Sequence, residues 1–530
     1  MEQTLVGEPT SILIFWRSNR WRLALTALAV LGGAMRLWGI RYGLPYLYHP
    51  DEPLGASVAL NMLKTGDLDP HFFGYGSLFF YLNALAYIPY YVLGHTLGLF
   101  HTPSDIPGLQ VLSMGVGRTL MPSQIVLGRL VSVTVGILCI FTVYWLGVRL
   151  SNRPVGLLAA AFVTFSPTCV LHSQFITPNI LVTFLVSLTL ATLLRLTPRS
   201  RWTSYALASI AWGCAMVSKY NSAMLVIPFG ITYWMLHGWN TLRRREVYLG
   251  LFLTLLTFIA VTPYAILDFS TFVKDTEYHL AYYATAKHPG MEGDTVKYYL
   301  SYLLNREGLL AFLGLLPIVF YIRRRNWSGL ILLAFAIPYV LYVSTLRIRN
   351  DRTILIALPV LFVTAADLLH TIWQYVSRSP SFRFRRLARV ALVVFITVSI
   401  VYLGWKTVEQ NIKLTTLDAR EYSRQWIEAN VSAEIRIAAE TYTPFIDPAR
   451  YSVTYFPTMI LHPSDWYAEQ GFDLLVFSSG AFGRYYVMPD LYAVEVAKYN
   501  ALLGRFPEIA RFDQNGTTIR ILKTRERLSK

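Results

Sequence analysis

The sequence predicts a polytopic α-helical membrane protein, with about eleven transmembrane helices followed by a small α/β domain. Three observations predict it. Of 530 residues, 54% are hydrophobic and only 15% charged, which is too apolar for an ordinary soluble chain. Apolar runs close to the ~20 residues needed to cross a bilayer recur from residue 22 to residue 405. Beyond 405 they stop, and short patterns of helix and buried strand take their place.

Taken in order, residues 1–21 form a cytoplasmic N-terminus ending in the basic string "RSNRWR" (17–22). The predicted spans are 22–40, 126–148, 155–171, 179–194, 203–218, 221–237, 247–267, 308–322, 328–344, 353–370 and 388–405. The first span has no small-residue cleavage site after it, so it is expected to remain as an anchor. One further run, "GSLFFYLNALAYIPYYVLGHTLGLF" (76–100), is decided by charge. If it does not span, the arginine bursts at 149–153, 195–201, 243–245, 323–325 and 378–389 share the N-terminal side, and the excess of Lys and Arg in short loops places that side in the cytoplasm. Residues 76–100 are therefore read as an amphipathic segment at the outer interface, within a long external loop, 41–125, with a plain transmembrane helix as the alternative reading.

Residues 406–530 read as an external α/β domain. "AREYSRQWIEAN" (419–430) has helical spacing, while "IRIAAE" (435–440), "FDLLVFSS" (472–479) and "TTIRILK" (517–523) read as buried strands. The chain is thus expected to be a multi-pass protein of the plasma membrane with an extracytoplasmic C-terminal domain.

Composition also excludes. Cys139, Cys169 and Cys214 lie in apolar runs without paired spacing, which argues against both a disulfide framework and a zinc site. The net charge of +16 arrives in bursts between spans, a topological pattern that does not suggest nucleic acid as a partner.

Under this topology the polar strings gather outside: "YHPDEPLGA" (48–56), "HSQFITPN" (172–179), "SKYN" (218–221), residues 268–307 and "STLRIRNDR" (344–352). Asp51 and Glu52 are costly to desolvate beside a membrane, which marks them as candidates for chemistry.

The ordered set "HPDEPLGASVALNMLKTGDLDP" (49–70), "YGSLFFYLNAL" (75–85), "GRLVSVTVGILCIFTVYWLGVRL" (128–150), "PVGLLAAAFVTFSPTCVLHSQFITPN" (154–179) and "AMVSKYNSAMLVIP" (215–228) resembles the GT-C superfamily of membrane glycosyltransferases. It is similar above all to the branch of protein O-mannosyltransferases and the lipid A aminoarabinose transferase, over roughly residues 20–370. That resemblance implies a sugar donor linked to polyprenyl phosphate, with membrane lipid as surroundings and an acceptor hydroxyl on protein, lipid or glycan. It adds Tyr75, Asn179, Tyr220 and His49 to the substrate-binding candidates. Asn179 stands where such proteins commonly carry an aspartate, which puts a second acidic contribution from that loop in doubt.

The chemistry such a site needs can be stated from the residues. A hydroxyl is a poor nucleophile at neutral pH, and one carboxylate in reach can take its proton. Asp51 is the candidate base of a single, inverting displacement, with Glu52 orienting the acceptor. Lys219, Arg347, Arg349 and Arg352 stand at span ends and are the candidates to hold the departing phosphate. Asp51, Glu52 and His49 together also offer ligands for a divalent ion, the one candidate cofactor. Plainer roles compete: the acidic pair as the first turn of a helix starting near Pro50, Lys219 snorkelling from a span end, and the arginines pairing with Asp351 or lipid phosphates. A transporter or lipid flippase, or a non-catalytic relative, is the rival function. A transporter would carry its polar groups at mid-membrane in repeated halves, and no such repeat is visible.

Overall fold

The computed structural model describes residues 11–525. The chain opens with helix α1 (Ser11–Trp38). A loop then leads to α2 (Glu52–Thr65) and α3 (Ser77–Thr96), and the hairpin β1 (Leu109–Ser113) and β2 (Val116–Thr119) follows. The apolar runs next fold as α4 (Pro122–Leu150), α5 (Arg153–Phe165), the short α6 (Pro167–Leu171), α7 (Asn179–Leu193), α8 (Trp202–Met216), α9 (Val226–His237) and α10 (Arg245–Val261). After α11 (Tyr264–Leu267) come α12 (Phe269–Thr285), α13 (Thr295–Glu307), α14 (Leu310–Leu313), α15 (Ile318–Arg324), α16 (Trp327–Thr345), the single turn α17 (Asp351–Ile354), α18 (Leu358–Ser377) and α19 (Phe382–Thr415).

Every predicted span falls on helical chain, but several are broken where the sequence dictates it. Pro167 splits the run 155–171 and Pro263 splits 247–267, because proline has no N–H to give and its ring crowds the preceding turn. The run 308–322 begins at Gly308, whose φ of 67° turns α13 against α14 and α15 by 114°. Among the described residues, five helices are long and apolar enough to cross a membrane, or six if that bent pair is one span. Ser77–Thr96 is one of the five: it runs unbroken through Pro89 for 20 residues, so its length suits a span as well as the interfacial position read from its flanking charges.

The centre of the bundle is α4, packed on α1, α5 and α7. Its approach to α5 depends on two glycines: a methyl on Gly147 would meet the Gly156 Cα at 2.7 Å, and one on Gly156 the Tyr144 carbonyl at 2.4 Å. A fully buried Arg36 closes the gap that Pro167 opens. Val163 O has no residue 167 N–H to accept, and the Thr168 N–H goes to Glu307 at 3.1 Å, so Arg36 donates to Val163 O at 3.3 Å and Thr164 O at 3.4 Å instead. The three cysteines are free.

The C-terminal part comprises α20 (Ala419–Asn430), β3 (Arg436–Glu440), β4 (Ser452–Phe456), α21 (Ser464–Glu469), β5 (Leu474–Ser478), α22 (Gly483–Tyr486), α23 (Ala493–Arg505), β6 (Glu508–Gln514) and β7 (Thr517–Lys523). The strands form one mixed sheet in the order β4-β3-β5-β7-β6, with β3 parallel to both neighbours. Alternation sends Ile437, Ala439, Leu474 and Val476 to a core with Ile427 of α20. It sends Ala438, Leu475 and Phe477 to a second core with Tyr499 and Leu502 of α23. The domain is fastened to the first loop: Arg420 Nη1 donates to Tyr48 O at 3.2 Å, Tyr442 N to Met114 O at 2.9 Å, and Arg118 pairs with Asp447 at 3.3 Å.

Candidate functional site

The stretch "YHPDEPLGA" places its two carboxylates in opposite environments. Pro53 at the start of α2 presets the helical φ, so Asp51 becomes the residue that precedes the helix. Its side chain makes no capping hydrogen bond. It reaches instead to the Arg352 guanidinium, an ion pair whose members keep 25% and 26% of their surface exposed. Glu52, one residue on, turns into the bundle and is 0% exposed, as is its partner Arg129 of α4. The two form a fork: Arg129 Nε donates to Glu52 Oε1 at 2.8 Å and Nη2 to Oε2 at 2.7 Å, while Ile176 N donates to Oε1 at 3.0 Å. Arg129 Nη1 is taken up by Ile40 O and Tyr42 O at 2.8 and 2.9 Å. Burial opposes ionisation of Glu52, yet Arg129 outweighs it and holds the carboxyl below the ordinary range.

Arg352 is aimed by the turn α17, which Asn350 caps by accepting from Thr353 N at 3.1 Å. Beside it, Asp351 Oδ1 lies 3.5 Å from His172 Nε2. Lys219 follows α8 in extended conformation, and its Nζ donates to Asn179 Oδ1 at 3.2 Å. Burial, reinforced by Arg352, lowers the Lys219 ammonium to about 7, against the smaller opposing pull of Asp51 and Asp351. The Tyr75 hydroxyl is raised by burial and then by Asp51, which places it in the same cleft. His49 lies against Phe175 with ring centres 4.3 Å apart, and its Nδ1 accepts the Asp51 N–H at 3.2 Å. Burial lowers its imidazolium below the ordinary range.

The fold therefore gathers Asp51, Arg352, Lys219, Asn179, Tyr75 and His49 into one cleft. It does not bring Arg347, Arg349 and Tyr220 there. Arg347 pairs with Glu292 at 3.1 Å and donates to Thr285 O at 3.1 Å. Arg349 turns to α13, donating to Asp294 O at 3.1 Å and covering the Tyr298 ring at 5.1 Å. The Tyr220 ring faces Phe258 and Phe272. Arg347 and Arg349 lie in the bent segment before the α17 turn, and the turn itself carries Arg352 to Asp51.

The triplet Asp51, Glu52 and His49 does not fit a shared divalent ion. Glu52 has no accessible oxygen, and the His49 Nδ1 is occupied by the Asp51 amide. Its expected part in orienting an acceptor fails for the same reason. Among the described residues, the one group of His, Cys, Asp or Glu with ligand atoms within 4.8 Å of one another is Asp69, His71 and Asp268, away from this cleft and tied into local hydrogen bonds with Asp67.

Sequence reasoning missed Arg129 and the pair His172 and Asp351. Arg129 carried a signal: an arginine inside a predicted span needs a carboxylate partner, and the acidic pair at 51–52 lies in the preceding loop. The contact of His172 with Asp351 depends on the bundle closing, which no local pattern records.

Residues 114–264 match the family model of dolichyl-phosphate-mannose-protein mannosyltransferases. No curated protein sequence matches the chain. Among solved structures, ArnT from Cupriavidus metallidurans bound to undecaprenyl phosphate is similar at 15% identity and a TM-score of 0.53, over 97% of this chain and 99% of that one. The Archaeoglobus fulgidus oligosaccharyltransferase tethered with an acceptor peptide is similar at 12% identity and a TM-score of 0.57, over 91% of this chain and 72% of that one. The same archaeal enzyme, AglB, in complex with an inhibitory peptide and a dolichol-phosphate, gives a TM-score of 0.51 at 12% identity, again over 91% and 72%. Over nearly its whole length the chain thus has the GT-C fold of these membrane glycosyltransferases.

Proposed function

We propose that the chain is a multi-pass membrane glycosyltransferase that moves one monosaccharide from a polyprenyl-phosphate carrier to an acceptor hydroxyl at the external membrane face. The observation that carries this reading is the meeting of Asp51, a carboxylate free of any capping duty, with Arg352, both partly exposed, and with Lys219 close enough to feel both charges. The GT-C fold supports it, since ArnT and AglB have been solved with undecaprenyl phosphate and dolichol-phosphate respectively.

In this reading Asp51 accepts the proton of the acceptor hydroxyl as the acceptor oxygen bonds to the anomeric carbon of the sugar. The bond from that carbon to the phosphate oxygen breaks in the same step, and the electron pair leaves on the phosphate. Arg352 and Lys219 hold that phosphate through charge-assisted hydrogen bonds. One displacement inverts the anomeric configuration. Before the carrier binds, Arg352 neutralises Asp51; a phosphate that engages Arg352 frees the carboxylate to act as base. Glu52 and Arg129 hold the start of α2, and therefore the base, against α4.

Purified protein in vesicles with labelled polyprenyl-phosphate sugars tests the reading. Transfer of label to an acceptor, with release of polyprenyl phosphate, is the expected result. Movement of the labelled lipid between leaflets without turnover would replace the enzyme by a flippase.

A further inference from the structure

Helix α13 carries a pattern that the proposed transfer does not use. Its residues fall into stripes four apart. Tyr299, Leu303 and Glu307 are buried in the bundle; Val296, Leu300 and Leu304 are exposed and apolar; Lys297, Ser301 and Asn305 are polar. Two recesses run along this helix and share Asp294, Lys297, Ser301 and Asn305. The first, of ≈ 660 Å³, carries cations on a largely apolar wall: Lys297, Arg306 and Arg349 line it together with Tyr298, Tyr302 and Met488. The second, of ≈ 540 Å³, is walled by Val296, Leu300, Leu304 and Phe312.

The cations of the first recess are under-used. The Arg349 Nε is buried without a hydrogen-bond partner, although the same guanidinium donates from Nη1 to Asp294 O at 3.1 Å. A buried donor left unpaired is unfavourable, so the site favours an added acceptor. Lys297 is exposed and carries no ion pair among the described residues. Arg306 donates to Gln410, a neutral amide, and its charge also acts on the buried Glu307 beside it. The single carboxylate present, Asp294, is engaged in capping α13, accepting from Lys297 N at 2.9 Å. Lys297 and the unpaired edge of Arg349 beside one engaged carboxylate ask for an anion, and the apolar stripe beside them, ~12 Å from Val296 to Leu304 at helical rise, asks for a hydrocarbon chain.

We infer that this groove is a binding site for an anionic, phosphate-bearing lipid, its phosphate on Arg349 and Lys297 and its chain along Val296, Leu300 and Leu304. The site is distinct from the cleft of Asp51. Asp351 stands between the two, its charge reaching Tyr298 and Tyr302 on one side and His172 and Arg352 on the other. The inference does not depend on the proposed transfer, since it rests on the groove and its charges alone.

Native mass spectrometry of the full-length protein, stripped of lipid and titrated with phosphatidylglycerol or phosphatidylcholine, tests it. The expected result is retention of phosphatidylglycerol in preference to phosphatidylcholine, reduced roughly tenfold or more in the double variant Arg349→Gln, Lys297→Gln. Leu300→Glu places a carboxylate in the chain path without touching the cations, and is expected to lower retention as well. It also serves if the double variant fails to fold. Equal retention of the two lipids, or unchanged retention in Leu300→Glu and in the folded double variant, would overturn the proposal. Displacement of the lipid by inorganic phosphate alone would also overturn it, because the site would then recognise a free anion.

Discussion

Glu52 and Arg129 form a two-pronged ion pair with both side chains wholly removed from solvent, at 2.7 and 2.8 Å. The adjacent Asp51 stays at the cleft mouth with Arg352. Two neighbouring carboxylates that read alike in sequence are thereby separated into one buried in the fold and one left partly exposed.

Glu52→Gln should accordingly act on stability. It leaves the Arg129 charge buried beside a neutral amide, and breaking such a pair typically costs about 3–5 kcal/mol. Unfolding of the detergent-solubilised variant should show that loss, while the surviving folded fraction keeps most of its turnover. A variant of normal stability with severely reduced turnover would return Glu52 to the chemistry.

Carrier binding should depend on pH through Lys219, whose ammonium is held at about 7 in the ligand-free protein. A bound phosphodiester favours the charged lysine and raises that value, so binding takes up a proton above it. Affinity should then be full below about pH 7 and fall as pH rises, by up to roughly tenfold per unit until the bound-state value is passed. Lys219→Met, neutral throughout, should bind more weakly and lose this dependence. Titrations with polyprenyl-phosphate sugar at about pH 6.5 and about pH 8.5 separate the cases. A flat wild-type profile would mean that Lys219 does not hold the phosphate.

Much of this architecture was legible in the sequence because hydrophobic periodicity is a local signal. The apolar runs became helices, and 419–430, 435–440, 472–479 and 517–523 became α20, β3, β5 and β7. The site was legible only in part. Asp51, Lys219 and Arg352 were found by residue type and position in polar loops. Which arginine of "STLRIRNDR" faces Asp51 depends on where the helical turn begins, and that is set by the Asn350 cap and by Tyr339, which donates to Thr353 O at 2.9 Å. The different fates of Asp51 and Glu52 depend on Arg129, 77 positions away from Glu52 in a span of its own.

Sidedness is the next test, because the transfer is proposed for the external face. Single cysteines at Thr65, Lys287 and Glu469, all exposed, should react with an impermeant thiol reagent from outside, and those at exposed Ser151, Arg199 and Ser381 should not. Labelling at Arg199 but not at Lys287 would show that Ser77–Thr96, which is long and apolar enough, does cross the membrane.

The most direct test of the central claim is the turnover of Asp51→Asn. The side chain makes no capping hydrogen bond and is partly exposed, so the amide should leave folding unchanged. It cannot accept the acceptor's proton at neutral pH. If Asp51 is the base, sugar transfer under saturating carrier should fall by roughly 100-fold to 10,000-fold, with the carrier still bound. A folded, carrier-bound Asp51→Asn protein that transfers sugar at near the wild-type rate would contradict the account.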